Sequence, residues 1–183
     1  MAHQNVEIKA RCDGQDRIRE LLLAREAVFK GVDRQIDTYF NVSSGRLKLR
    51  EGNIENFLIH YSREDKGGPK LSQVALYKNV PGSPLKDLLV KALGVLVVVD
   101  KRREIYFIDN VKFHLDQVVN LGDFVEIEAI DADGSLGLDR IQRQCQTYRD
   151  LLRIKDCNLV SCSYSDMLLS GSGPDKRDPY DKR

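Results

Sequence analysis

Several short stretches of this chain carry charge in rows. Arg46, Lys48 and Arg50 alternate with Leu47 and Leu49, so an extended backbone puts three cations on one face and two leucines on the other. Glu126 and Glu128 stand side by side in the same way, backed by Val125 and Ile127. Glu7, Lys9 and Arg11 share a face near the N-terminus, Lys101 and Arg103 share another, and Lys112, His114 and Asp116 a third; Arg63 and Lys78 extend the set. Any one such face is ordinarily the solvated side of a sheet. Taken together they are unusual, because like charges at i and i+2 repel unless something of opposite sign neutralises them. Cations and carboxylates brought around one lumen, with a polyanion and a divalent metal, remove that repulsion. Paired carboxylates suit a hard ion such as Mg²⁺ or Mn²⁺, which is usually held by few carboxylates plus phosphate oxygens. Rows of Lys and Arg grip the phosphates, Arg by bidentate hydrogen bonds. The pattern therefore predicts a triphosphate ligand, with metal polarising a phosphoryl oxygen and cations stabilising the leaving group.

The elements that must position these residues are mostly strands. Residues 4–11 alternate with Val6, Ile8 and Ala10 on the apolar side, and a helix capped by Asp13 or Asp16 follows, with Ile18, Leu21, Leu22 and Leu23 on its buried side. Residues 27–42 are extended, Ser43-Ser44-Gly45 turns the chain, and Gly52-Asn53 marks a hairpin between 46–50 and 54–63. After a loop at 64–70, a strand at 71–78 leads to a helix over 85–93 with Ser83 as N-cap and Pro84 at its first position. Strands at 95–108, 111–116 and 124–130, a helix from Ser135 to about Leu152, and a docking turn at Tyr164 to Leu169 complete the chain. About eight strands joined by short turns, with three helices, make an antiparallel α+β protein rather than a βαβ repeat. The expected domain spans residues 1–170; residues 171–183 are polar, rich in Gly, Pro, Asp and Lys, and read as a disordered tail. Asp33, Asp37 and Tyr39 lie on an extended segment whose parity is ambiguous, and they stay outside the expected site.

Composition narrows the function. With 29 Lys+Arg against 28 Asp+Glu the net charge is +1, which argues against a globally basic nucleic-acid binder and an acidic disordered chain. The longest strongly apolar run, Ala92 to Val99, is far below the roughly 18 to 20 residues of a membrane span. The N-terminus shows no secretory signal pattern, so a cytoplasmic location is expected. Cys12, Cys145, Cys157 and Cys162 form no CxxC pair and His3, His60 and His114 no HxxxH pair, which speaks for reduced, mostly buried thiols and against zinc. Neither GxGxxG nor GxxxxGK[ST] occurs.

The segments Val6-Glu7-Ile8-Lys9-Ala10-Arg11, Lys48-Leu49-Arg50, Lys101-Arg102-Arg103-Glu104, His114-Leu115-Asp116 and Leu121-Gly122-Asp123-Phe124-Val125-Glu126-Ile127-Glu128, in this order, resemble the successive signatures of the CYTH superfamily, the triphosphate tunnel metalloenzymes. The resemblance covers roughly residues 4–169 and is nearest to the class IV adenylyl cyclase-like branch. It implies an eight-stranded antiparallel barrel forming a tunnel, with helices outside. It also implies Glu7, Glu126 and Glu128 as metal ligands for Mg²⁺ or Mn²⁺, and Asp116 as a further carboxylate near the metal and a candidate catalytic base. Lys9, Lys48, Arg50, Arg63, Lys101 and Arg103, with Lys78 as an addition, are the implied phosphate ligands. The implied activity is conversion of ATP to cyclic AMP and pyrophosphate; a triphosphate hydrolase and a non-catalytic triphosphate-binding module are the alternatives. A homodimer is compatible with the family. One departure matters: the family opens with ExExK, whereas this chain reads Asn5-Val6-Glu7-Ile8-Lys9, a neutral amide at the first carboxylate. An amide oxygen can coordinate a hard cation but brings no charge.

Overall fold

The computed structural model describes residues 2–63 and 69–171, apart from the side chains of Ala2, His3 and Arg63. Eight strands run in chain order as β1 (Ala2–Arg11), β2 (Val28–Phe40), β3 (Arg46–Glu51), β4 (Phe57–Arg63), β5 (Lys70–Lys78), β6 (Val95–Ile108), β7 (Val111–Val118) and β8 (Gly122–Asp131). They close a barrel in the order β1-β5-β4-β3-β2-β6-β7-β8, antiparallel at every step. Closure leaves no sheet edge, and it also divides every strand into an inner and an outer face. Helices α1 (Gln15–Leu23), α2 (Leu85–Leu93), α3 (Leu138–Leu151) and α4 (Tyr164–Leu169) are added to it. The α+β barrel expected from the strand pattern and the family resemblance is the fold observed.

The aliphatic faces of the strands point outward. Val6, Ile8 and Ala10 of β1, Val111, Phe113 and Leu115 of β7, and Val125, Ile127 and Ala129 of β8 are buried in one cluster with Ile18 and Leu22 of α1 and Ile141 and Cys145 of α3. This outer core lets the opposite faces be charged. A second cluster forms at one end of the barrel, where Tyr164 and Met167 of α4 pack on the inward-facing Tyr39, Val99, Val118 and Phe124. Helix α4, expected only as a docking turn, is fixed by a capping box between Ser163 and Asp166.

The differences from the sequence expectation lie at element ends. No side chain caps α1 or α2, and their N-cap positions are Gly14 and Pro84 rather than Asp13, Asp16 or Ser83. Helix α3 begins at Leu138 instead of Ser135, because Asp131 and Asp133 accept the backbone N–H groups of residues 135–137 and hold them in a turn. Strand β4 begins at Phe57 because Asn56 and Gly52 bond to one another across a turn. All four cysteines are free; Cys12 and Cys145 are buried, Cys162 is half-buried and Cys157 exposed. Among the described residues no helix is long and apolar enough to cross a membrane. Of the expected tail, residues 172–183 lie outside the described residues.

One polar contact ties α1 to the outside of the barrel. Glu104 of β6 accepts from Arg19 Nε at 2.9 Å and Nη2 at 3.0 Å, from Arg102 Nη1 at 2.9 Å and from the Tyr106 hydroxyl at 2.9 Å. Burial alone would push its carboxyl up, but these donors together hold it at about 2 instead of 4.5. A depressed carboxylate contributes its stability above the unfolded value and loses it as pH falls toward the folded one. Glu104→Gln is therefore expected to lower unfolding free energy at pH 7 by on the order of 2 kcal/mol, with the difference from wild type shrinking between about pH 4.5 and 2. Urea unfolding at pH 7 and pH 3 checks this, and an equal loss at both would show that packing, not charge, is at stake.

Candidate active site inside the barrel

The inner faces of the strands enclose a cavity of about 190 Å³ lined by Glu7, Lys9, Lys48, Arg50, Lys101, Arg103, Lys112, His114, Glu126 and Glu128, together with Asn5 and Glu55. The parity read from sequence thus brings nearly all of the expected charged residues into one space. Lys78 shares the inner parity of β5 but lies at the strand's exposed end and is not among the lining residues. The side chain of Arg63 lies outside the described residues.

Asp37, left aside in the sequence because its parity was ambiguous, organises the cation row. It is 1% exposed, and it accepts from Arg50 Nε at 2.8 Å and Nη2 at 3.0 Å, from Lys48 Nζ at 2.9 Å and from Lys101 Nζ at 2.6 Å. Burial opposes its charge, but Arg50, Lys101 and Lys48 overcome that and hold it well below the usual carboxylate range. The β2–β3 register, with Asp37 opposite Arg50, sets this contact. Among the described residues Asp37 is the one side-chain acceptor of the Lys101 ammonium. Burial drives its ammonium down to about 7, opposed by Asp37 and reinforced by the nearby Arg50, Arg103 and Lys48.

A second group is built on Arg103. Asp116 accepts from its Nε at 2.6 Å and Nη2 at 2.5 Å, and from the Tyr164 hydroxyl of α4 at 2.7 Å. Both oxygens of Asp116 are thus engaged, and although burial opposes its charge, Arg103 keeps its carboxyl low. This is the geometry of a residue that aims Arg103. Glu126 sits between Arg103 Nη2 at 2.7 Å, Lys9 Nζ at 3.1 Å and His114 Nδ1 at 3.1 Å. The ammonium of Lys9 lies 3.9 Å from the Tyr164 ring centroid, a cation–π contact that fixes its direction. His114 is 2% exposed, and burial with Arg103 beside it lowers the imidazole to about 4, so it is neutral at pH 7. Its Nδ1 faces the acceptor Glu126 and carries the proton, while Nε2 is buried with no partner.

Glu55 was not expected in the site: the sequence pattern puts it at the start of a strand over 54–63, whereas it lies in the turn before β4. Its carboxylate accepts from Arg50 Nη1 at 2.7 Å, from Gln35 Nε2 at 3.0 Å and from the Lys112 ammonium. The turn is held by Asp33, fully buried, which accepts the backbone N–H groups of Ile54 and Glu55 at 2.9 Å each. Gly52 is required there: a Cβ would meet the Asp33 carboxylate at 2.6 Å. A network of such contacts has no short sequence signature. The cavity of about 190 Å³, with Glu55 on its wall, is below the roughly 300–1,000 Å³ usual for organic ligands.

The carboxylates suit a hard cation. Glu7 and Glu128 are directly opposite in the β1–β8 register and both line the cavity, a like-charge pair that a divalent ion would relieve. Among the described residues no three His, Cys, Asp or Glu side chains already form a metal cage. Mg²⁺ does not need one, because phosphate oxygens and water complete its shell. Asn5, where the family pattern has a carboxylate, donates its side-chain N–H to Glu128 Oε1.

Comparison with known proteins agrees with this geometry. The model of the CYTH domain matches residues 3–164. The Methanocaldococcus jannaschii protein named "Putative adenylate cyclase MJ0240" is 24% identical over 180 residues, covering 88% of this chain and 97% of that one. The PH1012 protein of Pyrococcus horikoshii OT3 superposes with a TM-score of 0.70 at 23% identity, over 88% of this chain and 98% of the other. HpAC1 from Hippeastrum, for which a dominant triphosphatase activity is described, superposes with a TM-score of 0.60 at 12% identity, over 92% and 96% of the two chains. A family match across nearly the whole chain, on a closed barrel with a charged interior, makes this protein a member of the CYTH domain family.

Proposed function

We propose that the protein is a metal-dependent enzyme of the class IV adenylyl cyclase type, converting ATP to cyclic AMP and pyrophosphate inside the barrel. The observation that supports this reading is the charged lumen, in which cations from β1, β3, β6 and β7 and carboxylates from β1 and β8 line one cavity. Lys48, Arg50, Lys101 and Arg103 would hold the pyrophosphate end, with Arg103 aimed by Asp116 and Lys9 by Tyr164. Glu7, Glu126 and Glu128 would hold Mg²⁺ or Mn²⁺, which when bound supplies Lewis-acid polarisation of the phosphoryl oxygens. The ribose 3′-oxygen attacks the α-phosphorus, the bond from that phosphorus to the bridging oxygen breaks, pyrophosphate leaves with the electron pair, and the hydroxyl proton passes to a base. Asp116, with both oxygens engaged by Arg103 and Tyr164, and His114, with Nε2 unpaired among the described residues, are the two candidates for that base.

Hydrolysis of a triphosphate is the second reading, supported by the small size of the cavity, which accommodates a bare triphosphate more readily than a nucleotide. Chromatography of products after incubation with ATP and, separately, tripolyphosphate, with Mg²⁺ and then Mn²⁺, decides between them. Cyclic AMP plus pyrophosphate is the expected outcome, orthophosphate identifies a hydrolase, and intact substrate in every condition makes the barrel a binding module.

Two further outcomes follow from the charge pairing. A phosphate beside Lys101 raises its pKa above about 7, so binding takes up a proton at pH 8 and affinity falls as pH rises above 7, by up to roughly ten-fold per unit. Calorimetry of tripolyphosphate binding in buffers of different ionisation enthalpy measures this uptake, and Lys101→Met abolishes it. Glu55→Gln releases Arg50 and Lys112 and is expected to tighten tripolyphosphate binding about three- to ten-fold. Weaker binding in that variant would mean that Glu55 orients the cations instead of competing with phosphate for them.

A further inference from the structure

The outside of the barrel is finished unevenly. Over β1, β7 and β8 the helices α1 and α3 bury an aliphatic layer. On β2 and β3 the attached helix is α2, and its cover is thin: six of its nine residues are apolar, yet none of the nine is buried. Its back face is tethered at two points. Lys86 Nζ bonds Glu51 of β3 at 2.6 Å, and the Asn41 side chain, just after β2, donates to the Leu93 carbonyl at 3.1 Å. The front face stays in water, with Leu88 64% exposed.

One exposed leucine on a surface helix is ordinary. Here the apolar exposure continues past both ends of α2: Val80 before it is 69% exposed, and Val95, Leu96 and Val98 after it are 43–47% exposed. Asp87 and Lys91 lie one turn apart on the face that carries Leu88, and neither has an ion-pair partner among the described residues. This surface is complementary to itself. Turning α2 end for end lays Asp87 against Lys91 and brings Val80 toward residues 95–98, an operation that a two-fold axis between identical chains performs. Apolar exposure of this extent on one face marks an interaction site.

We infer that α2 and the start of β6 form a two-fold interface with a second copy of this chain, the two α2 helices packing antiparallel with Leu88 near the centre. Two Asp87–Lys91 contacts fix the direction of packing, and Val80, Val95, Leu96 and Val98 bury their exposed faces at the flanks. Each copy thereby supplies the outer layer that the β2–β3 side of the other lacks. Strands β2 and β3 carry Asp37, Lys48 and Arg50, so the partner braces the strands that hold this part of the cation row. The interface uses no side chain of the lumen and does not depend on what the lumen binds. An unrelated protein is the competing occupant, but nothing would require it to match the charges of α2 end for end.

Sedimentation velocity of the full chain from about 1 to about 300 μM tests it. The expected result is a reversible rise from the 20.9 kDa chain mass to twice that value, with a micromolar dissociation constant in keeping with a small interface. Asp87→Lys and Lys91→Asp each place like charges in contact across the axis and should each weaken the dimer about ten-fold or more. An equimolar mixture of these two variants should recover it to within about three-fold of wild type, because opposite charges then meet at both contacts. Leu88→Lys, at a site exposed in the single chain, should also weaken the dimer about ten-fold or more and leave the thermal melt of the monomer unchanged. A wild type that stays monomeric throughout overturns the inference, and so does a dimer that none of the three changes weakens. Single variants that are monomeric and stay so when mixed overturn it as well, since the helices then do not meet end for end.

Discussion

Charges removed from water must be paired, and this requirement shapes the interior of the barrel more than any other. An unpaired buried ion costs several kcal/mol, so a row of inward-facing cations needs partners even with no ligand bound. Here the row is held by the chain's own carboxylates: Asp37 for Lys48, Arg50 and Lys101, Asp116 and Glu126 for Arg103, and Glu55 for Arg50 and Lys112. Cations Lys9, Lys48, Arg50, Lys101, Arg103 and Lys112 are matched by carboxylates Glu7, Asp37, Glu55, Asp116, Glu126 and Glu128. An arriving polyanion therefore exchanges partners in a lumen already close to neutral, and it is accommodated best together with a divalent ion that occupies the released carboxylates.

The same requirement explains which parts of the site were legible in the sequence. Period-two alternation is enforced on β1, β7 and β8 by the outer core and runs equally cleanly through β3, so Arg46 to Arg50 and Glu126 to Glu128 declared their inner faces directly. Strand identity and the antiparallel α+β class were legible for that reason, and the order of the motifs added the family and, through it, the barrel. Asp37 was not, because residues 27–42 mix charges and aromatics on both faces, and β2 is irregular near Gly31 and Phe40. Glu55 and Asp33 were hidden differently. Their roles arise from a turn folding back on a strand 20 residues earlier, which no local pattern encodes. Helix starts were misjudged where a carboxylate near the expected cap bonded a turn instead.

The outer face carries its own logic. Helices α1 and α3 cover β1, β7 and β8 with aliphatic contacts, so the three strands that supply Glu7, Lys9, His114, Glu126 and Glu128 are the best buttressed in the barrel. Rigid support of this kind keeps charged side chains at fixed distances without loops. Strands β4 and β5 add Phe57, Ile59, Val74 and Leu76 to the lining.

Helix α4 gives the lumen a floor. Tyr164 and Met167 cover the end at which β1 finishes and β8 begins, and the Arg103–Asp116–Tyr164 and Lys9–Tyr164 contacts place phosphate-binding cations just above it. Through its contacts with Asp116 and Lys9 the helix ties the aim of two lumen cations, Arg103 and Lys9, to its own docking. Loosening of this six-residue helix would release both cations at once, so order inside the barrel depends on a segment that lies after all eight strands in the chain.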